Sequence, residues 1–395
     1  MEKKLLYSRQ PIKAIYVSSY IPRKCGIATY TKDLTNDINM LNPYALAEIL
    51  AIHRPEDNII YPWEVKFKIN QNDLESYIQA ANYVNQSGAD LVVLEHEFGL
   101  FGGQGGDYII SFTEVVKKPL IITFHTIIED PANQYGIVQK RLADRADAIV
   151  VMINDSASKL MEKYQVPEEK IVVIPHGIPD LPFGAGEHFK RKKRLKGKIV
   201  LGNINLLSEP KGIEYALRAV AKIAEKYPNV VYLVIGQTHP VVLEKFGEKY
   251  RRFLKKEARH LGIEDKVHFI NEYLPLEELL EWLQAIDFYI TPYLNPDQSS
   301  SGALAYAIGA GKSCISTPYL YAQENLSNGK GVIVPFKDSE AIAEAVLELL
   351  ENPQKRLTME KKAYQHGRLM TWANVGLQHL DLFQTILDLK KPTKN

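Results

Sequence analysis

Short runs of branched aliphatic residues, LVVL at 91–94, LIIT at 120–123 and IVVM at 149–152, recur along this chain with amphipathic stretches between them. Runs this short and continuous suit strands buried on both faces, and strands that alternate with helices form parallel sheets. In the first half the pattern predicts strands at 12–18, 47–52, 91–95, 120–124, 148–153 and 171–174. Helices are expected at 28–40 and 73–86, the second stopped by Gly88. Residues 175–186 are rich in proline and glycine, and the basic run FKRKKRLKGK at 189–198 reads as a solvated linker. A contact with anionic lipid is the alternative for that run. The alternation then restarts, with strands at 199–203, 231–235, 267–270, 287–292, 313–316 and 332–335. Helices are expected at 213–227, at 240–261 as one long element, at 276–285 and at 338–351, with a last helical region over 354–389. The fold class predicted is α/β, two doubly wound domains facing each other across a cleft. The first spans 1–185 and the second 186–369, and a C-terminal helix of about 370–392 returns to the first.

At 395 residues two domains is the natural expectation. With 48 basic and 47 acidic residues the net charge is +1, which argues against a nucleic-acid partner. Two cysteines, Cys25 and Cys314, make neither a disulfide framework nor a zinc spacing, and fit a reducing cytoplasm. The opening MEKKLLYSRQ lacks the apolar core of a signal peptide. No apolar run approaches the ~20 residues that span a bilayer, so any membrane contact is expected to be peripheral.

Chemistry is expected where strands end. In YIPRKCGIATYTKDL, 20–34, Gly26 lies at a strand-to-helix turn, where a helix start favours an anion. The G-x-G-x-x-G dinucleotide fingerprint is missing there. Cys25 reads as a small buried thiol, and the Arg23-Lys24 pair as either solvated or ligand-facing. LEHEFGLFGGQGG, 94–106, delivers Glu95, His96 and Glu97 at a strand end before a glycine loop with Gly102 and Gly103, which suits a sugar-binding loop. No further histidine or cysteine lies at metal-ligand spacing, so no metal is expected. ITFHT, 122–126, and IPHG, 174–177, bring His125 and His176 to two further strand ends. GNINLLSEPKG, 202–212, puts Lys211 and Gly212 just before a helix, with Glu209 nearby.

Residues 298–312, QSSSGALAYAIGAGK, are a polar loop running into a helix of small residues. This frame resembles the donor-binding segment of the retaining family-4 glycosyltransferases, E-G-F-G-x-x-x-x-E-A-x-x-x-G. Aligned on Gly311, Gln298 and Tyr306 stand where that family has glutamates. The family's G-R-x-x-x-x-K-G pattern is matched at Lys211-Gly212, with Leu206 in the arginine's place. The loop at Gly26 is similar to the family's first glycine loop, ITFHT to the segment whose histidine lies by the donor sugar, and IPHG to its hinge.

The resemblance implies a GT-B fold of two Rossmann-like domains and a retaining, metal-independent hexosyltransferase with no cofactor. The donor would be a UDP- or GDP-sugar and the acceptor a carbohydrate hydroxyl. Lys211, His125 and Gln298 would serve catalysis. Gly26, Ser300, Ser301, Gly302, Tyr306 and Glu324 would hold the donor, with Glu324 replacing the lost charge. His96, Glu97, Gly102 and Gly103 would form the acceptor or sugar loop. The alternatives are a glycoside phosphorylase, a nucleotide-sugar epimerase, or an inactive nucleotide-sugar-binding relative.

Overall fold

A computed structural model describes residues 11–391 as two compact units, 11–177 with 372–391, and 178–371. The MEKKLLYSRQ segment and the expected helix end at 392 lie outside the described residues. The chain passes from one unit to the other at Gly177/Ile178, before the composition break at 185. Ile178 already belongs to the second unit, because its N–H donates to the Met370 carbonyl (2.8 Å) and it bridges to Thr371.

The first unit is a seven-stranded parallel sheet. Its strands are β1 (Ala14–Ser18), β2 (Glu48–His53), β3 (Val65–Asn70), β4 (Leu91–His96), β5 (Leu120–Phe124), β6 (Ala148–Val151) and β7 (Ile171–Val173), in the order β3-β2-β1-β4-β5-β6-β7. The central strands are buried along their whole length, as their continuous apolar runs require. β3 is not expected from the run pattern. It is an edge strand, VKFKIN, and its exposed Lys66 and Lys68 hide it from a search for apolar runs while blunting the edge. Asp73 caps the helix Leu74–Gln86 through the Glu75 N–H, and that helix ends on extended Ser87, not on a left-handed Gly88.

The second unit is a six-stranded parallel sheet. Its strands are β8 (Ile199–Ile204), β9 (Val230–Ile235), β10 (Val267–Ile270), β11 (Phe288–Thr291), β12 (Ser313–Ser316) and β13 (Val332–Ile333), in the order β10-β9-β8-β11-β12-β13. The single helix expected over 240–261 is two, Pro240–Phe246 and Lys249–His260, because Gly247 takes φ +59° between them. The last helical region also divides, into Pro353–Arg368 and Trp372–Lys390. The second of these packs on the helix Gly26–Leu41 of the first unit.

The basic run is not a linker. It forms most of the helix Gly186–Lys192 and the turn after it, in the second unit. Lys190 is buried and pairs with Asp287 (2.7 Å), Lys192 pairs with Glu281, and Lys193 pairs with Glu281 (3.0 Å). Arg191, Lys192, Arg194, Lys196 and Lys198 remain exposed. Among the described residues no helix is long and apolar enough to cross a membrane.

In each sheet the strand order reverses once, between β1 and β4 and between β8 and β11. Successive connections leave such a point on opposite faces, which opens a crevice at the carboxyl ends of the strands.

Candidate active site

The loop after β1 leads into the helix Gly26–Leu41. Its cap is Cys25, whose sulfur accepts from the Ala28 N–H (3.3 Å) and contacts the Ser19 hydroxyl (3.0 Å). A methyl group on Gly26 would meet nothing within 4 Å, so packing does not demand glycine there and the helix start stands clear. Arg23 is not merely solvated, because its guanidinium donates to the Ile52 carbonyl (3.2 Å) and to Gln71 (3.4 Å).

The ends of β4 and β5 hold the second cluster. Glu95 pairs with Thr123 across these strands, and the His125 N–H extends the ladder to the His96 carbonyl (3.1 Å). That register brings the His125 Nε2 to 2.9 Å from the Glu95 carboxylate, with the two side chains 3% and 0% exposed. The Tyr30 ring stands edge-on to His125 at 4.9 Å, and also meets His176 (5.2 Å) and Trp372 (5.3 Å). His176 is held by Nδ1–H donation to the Gly177 carbonyl (2.7 Å), and burial pushes its pKa down to about 4.

The expected sugar loop divides. Glu97 accepts from the Thr126 hydroxyl (2.8 Å) and from the Phe98 N–H (3.0 Å), at the strand ends. His96 instead faces the core, fully buried among Phe98, Phe101 and Phe124 with ring centroids 4.7–5.3 Å away. Alternation along a strand explains it, since neighbours point to opposite faces. Burial, and then the nearby His125, push its pKa down to about 3, so it stays neutral. Gly102 and Gly103 are required by space: a Cβ on Gly102 would lie 1.9 Å from the Gln71 carbonyl oxygen, and Gly103 has φ +84°.

In the second unit, the 3-10 turn Glu209–Lys211 follows β8, and Gly212 begins the helix Ile213–Lys226 at φ +61°. A Cβ on Gly212 would stand 2.1 Å from the Pro292 carbonyl oxygen, so glycine lets this turn lie against the end of β11. The Leu294 N–H, donated to the Pro210 carbonyl (2.9 Å), closes the contact. Lys211 is thereby set over the Tyr293 ring, its nitrogen 3.9 Å from the centroid. The side chain is half-buried and makes no ion pair among the described residues, and burial lowers its pKa to about 8. Glu209 is exposed.

Tyr293 links that lysine to the 298–302 loop. It stacks on Tyr319 (5.2 Å, 20°), whose hydroxyl donates to the Thr291 hydroxyl (3.4 Å), and Ser301 lies near both phenols. Ser301 caps the helix Gly302–Gly309 by accepting from the Leu304 N–H (3.4 Å). Gln298 donates its amide to the Ser300 carbonyl (2.9 Å), folding the loop on itself. Tyr306 is 8% exposed within that helix. Glu324 lies in the helix Leu320–Leu326, not in a loop.

Sequence reading overlooks Tyr293, Tyr319 and the β9 loop. Arg251 ties that loop down, donating to Glu248 (3.0 Å) and to the Gly236 carbonyl (3.0 Å). Burial and the Lys211 charge lower the pKa of His239, which places that imidazole beside the lysine's field. The strand-end rule points to Tyr293, directly beyond β11, but nothing in its local motif does. Among the described residues no group of three histidine, cysteine or acidic side chains could hold a metal ion.

Comparison with known proteins fits this arrangement. The Glycosyl transferases group 1 family profile matches residues 186–366, and the Glycosyltransferase Family 4 profile matches 50–180. The chain belongs to the group 1, family-4 glycosyltransferases. Among its relatives is a D-inositol 3-phosphate glycosyltransferase of Corynebacterium urealyticum, 27% identical over 258 residues. That match covers 63% of this chain and 59% of the relative, so the chain spans less than two thirds of that protein's length. An alpha-monoglucosyldiacylglycerol synthase of Streptococcus pneumoniae is 24% identical, with 89% of this chain and 81% of the relative covered. Two solved structures share the fold: sucrose-phosphate synthase of Thermosynechococcus elongatus and Anabaena HepE with UDP and glucose. The first has a TM-score of 0.76 at 16% identity, covering 96% of this chain and 100% of its own. The second has 0.74 at 17%, covering 95% and 100%. Both family-4 halves are therefore Rossmann-like, and the fold is that of the GT-B glycosyltransferases.

Proposed function

We propose that this chain is a retaining, metal-independent hexosyltransferase that uses a nucleotide-diphospho-sugar and a carbohydrate hydroxyl acceptor. The observation that carries the reading is Lys211: a half-buried ammonium at a helix start, at a topological switch point, without an anionic partner among the described residues. A cation held this way is costly until an anion arrives, and a diphosphate supplies one. The helix starts at Gly26 and Gly302 add N–H groups suited to phosphate or sugar oxygens. His125 and Gln298 would orient the sugar, with Ser300 and Ser301 beside it. Tyr306 would meet the nucleoside, and Glu97 with Gly102 and Gly103 would shape the acceptor loop.

The family mechanism assigned to these residues has the acceptor hydroxyl attack from the face the diphosphate leaves. A departing phosphate oxygen takes the hydroxyl proton. With Gln298 and Tyr306 in the glutamate positions, the leaving diphosphate is stabilised by Lys211 and fixed N–H donors, which act without reorganising. UDP-sugars are the first donors to try, because Anabaena HepE is solved with UDP and with UDP-glucose.

The test is a thermal-shift screen with UDP, GDP, ADP and their sugar conjugates, with inorganic phosphate alongside. A ligand bound only by the native state raises the melting temperature. A shift from one nucleotide series that disappears in Lys211→Ala supports the proposal. A shift from phosphate alone would turn the reading to a phosphorylase.

A further inference from the structure

We propose that Glu95 is a positioning residue that fixes which nitrogen of His125 carries the proton. The inference rests on the transferase reading for what His125 then does, but its structural part stands without it. Glu95 lies fully buried on β4, and its carboxylate is 2.9 Å from the His125 Nε2. A carboxylate only accepts hydrogen bonds, so the contact requires a proton on Nε2 whatever the charge of the ring. In the neutral imidazole Nδ1 is then the acceptor nitrogen.

The surroundings hold this arrangement. The β4–β5 register and the bond from the His125 N–H to the His96 carbonyl set the backbone, and the edge of Tyr30 restricts the ring. The other histidines near the ring cannot replace Glu95. His96 and His176 are both kept neutral by burial, so neither brings the negative charge with which Glu95 faces the Nε2 proton. On the far side Glu95 faces Tyr16 of β1 and His379 of the helix Trp372–Lys390. Its second oxygen has no hydrogen-bond partner, nor does the Tyr16 hydroxyl or the His379 Nε2. The bond to His125 is therefore the main anchor of a carboxylate taken wholly out of water, a cost that pure packing would have avoided with an apolar residue.

The experiment compares wild type, Glu95→Leu, Glu95→Gln and Thr123→Val. Thr123 is equally buried, sits opposite Glu95 and has a hydroxyl without a partner, so its variant controls for disturbance of the strand ends. Nitrogen-15 spectra of histidine-labelled protein report the His125 tautomer with no donor present. Wild type and Thr123→Val should carry the proton on Nε2, and Glu95→Leu should lose that preference. In transfer assays Glu95→Leu should lower kcat by roughly 10- to 100-fold, the scale for partners that orient a site histidine, with KM changed less than about 3-fold. Glu95→Gln keeps an acceptor oxygen and should recover the tautomer and part of the rate. An unchanged tautomer in Glu95→Leu overturns the proposal, as does a Thr123→Val variant that loses as much turnover. The tautomer comparison needs no nucleotide sugar, so it decides the assignment even where no transfer is found.

Discussion

Replacing Lys211 by methionine should make the ligand-free protein more stable while destroying its hold on nucleotide. Burial lowers the lysine pKa from 10.5 to about 8. That displacement corresponds to an upper bound of ~3.4 kcal/mol at ~1.36 kcal/mol per unit. Partial solvent contact reduces it to about 1–3 kcal/mol. The stacking of Lys211 on Tyr293 returns roughly 1 kcal/mol, which methionine sulfur recovers in part. The net gain for Lys211→Met near neutral pH is then about 1 kcal/mol, or ~2–4 °C in Tm for a unit of this size. The sign follows from linkage. The folded pKa lies below the unfolded one, so the folded state binds this proton less tightly. The penalty is complete below pH 8, shrinks as pH rises from 8 to 10.5, and is gone above that range. The variant's advantage should therefore be present at pH 7 and fade by pH 10. Truncating one partner of a buried charge pair costs about 2–5 kcal/mol, so UDP should bind from about 30-fold to several thousand-fold more weakly. Denaturation at both pH values and titration calorimetry with UDP check the two halves. A variant that is less stable at pH 7 and binds UDP as tightly as wild type would refute the reasoning.

Other expectations follow from the same geometry. Gly212→Ala forces a side chain into φ +61° and toward the Pro292 carbonyl, and should lose about 2–4 kcal/mol in urea denaturation together with nucleotide binding. Ser301→Ala removes a helix cap and should lose about 1 kcal/mol, with a matching fall in Tm. His96 has a folded pKa of about 3, below its ordinary value, so stability should fall as pH drops from about 6.5 toward 3. His96→Leu should flatten that acid loss in urea titrations and leave UDP affinity unchanged, since the ring lies in the core. Gly177→Ala would drive a methyl to 2.0 Å from the Trp372 ring and should lower Tm by several degrees.

The alternating apolar runs made both sheets legible, because strands buried on two faces carry their own signature. What they could not reveal is instructive. β3 interleaves lysines with apolar residues at an edge, and so lacks that signature. Gly247 within an otherwise periodic stretch ended one helix by taking a left-handed conformation, which composition alone does not announce. The pairing of Lys190 and Lys193 within the basic run was not legible because their partners, Asp287 and Glu281, lie far along the sequence. Candidate residues at strand ends could be placed for the same reason that strands could. His125 directly follows β5 and Lys211 lies in the turn between β8 and the next helix, and the resemblance named them. The pairing of Glu95 with His125 and the place of Tyr293 were hidden because both are relational: one is defined by the histidine it holds, the other by the lysine resting on its ring. His96 was misplaced by one residue of strand alternation.

The central claim is a transfer with retained configuration, and proton NMR of a running reaction tests it most directly. The protein would be mixed with an α-linked UDP- or GDP-sugar and a panel of carbohydrate acceptors, without added metal. The account predicts an α-anomeric product signal that grows in step with free nucleoside diphosphate and vanishes in Lys211→Met. A β-anomeric product, turnover that needs phosphate in place of nucleotide, or tight nucleotide binding with no diphosphate released would contradict it.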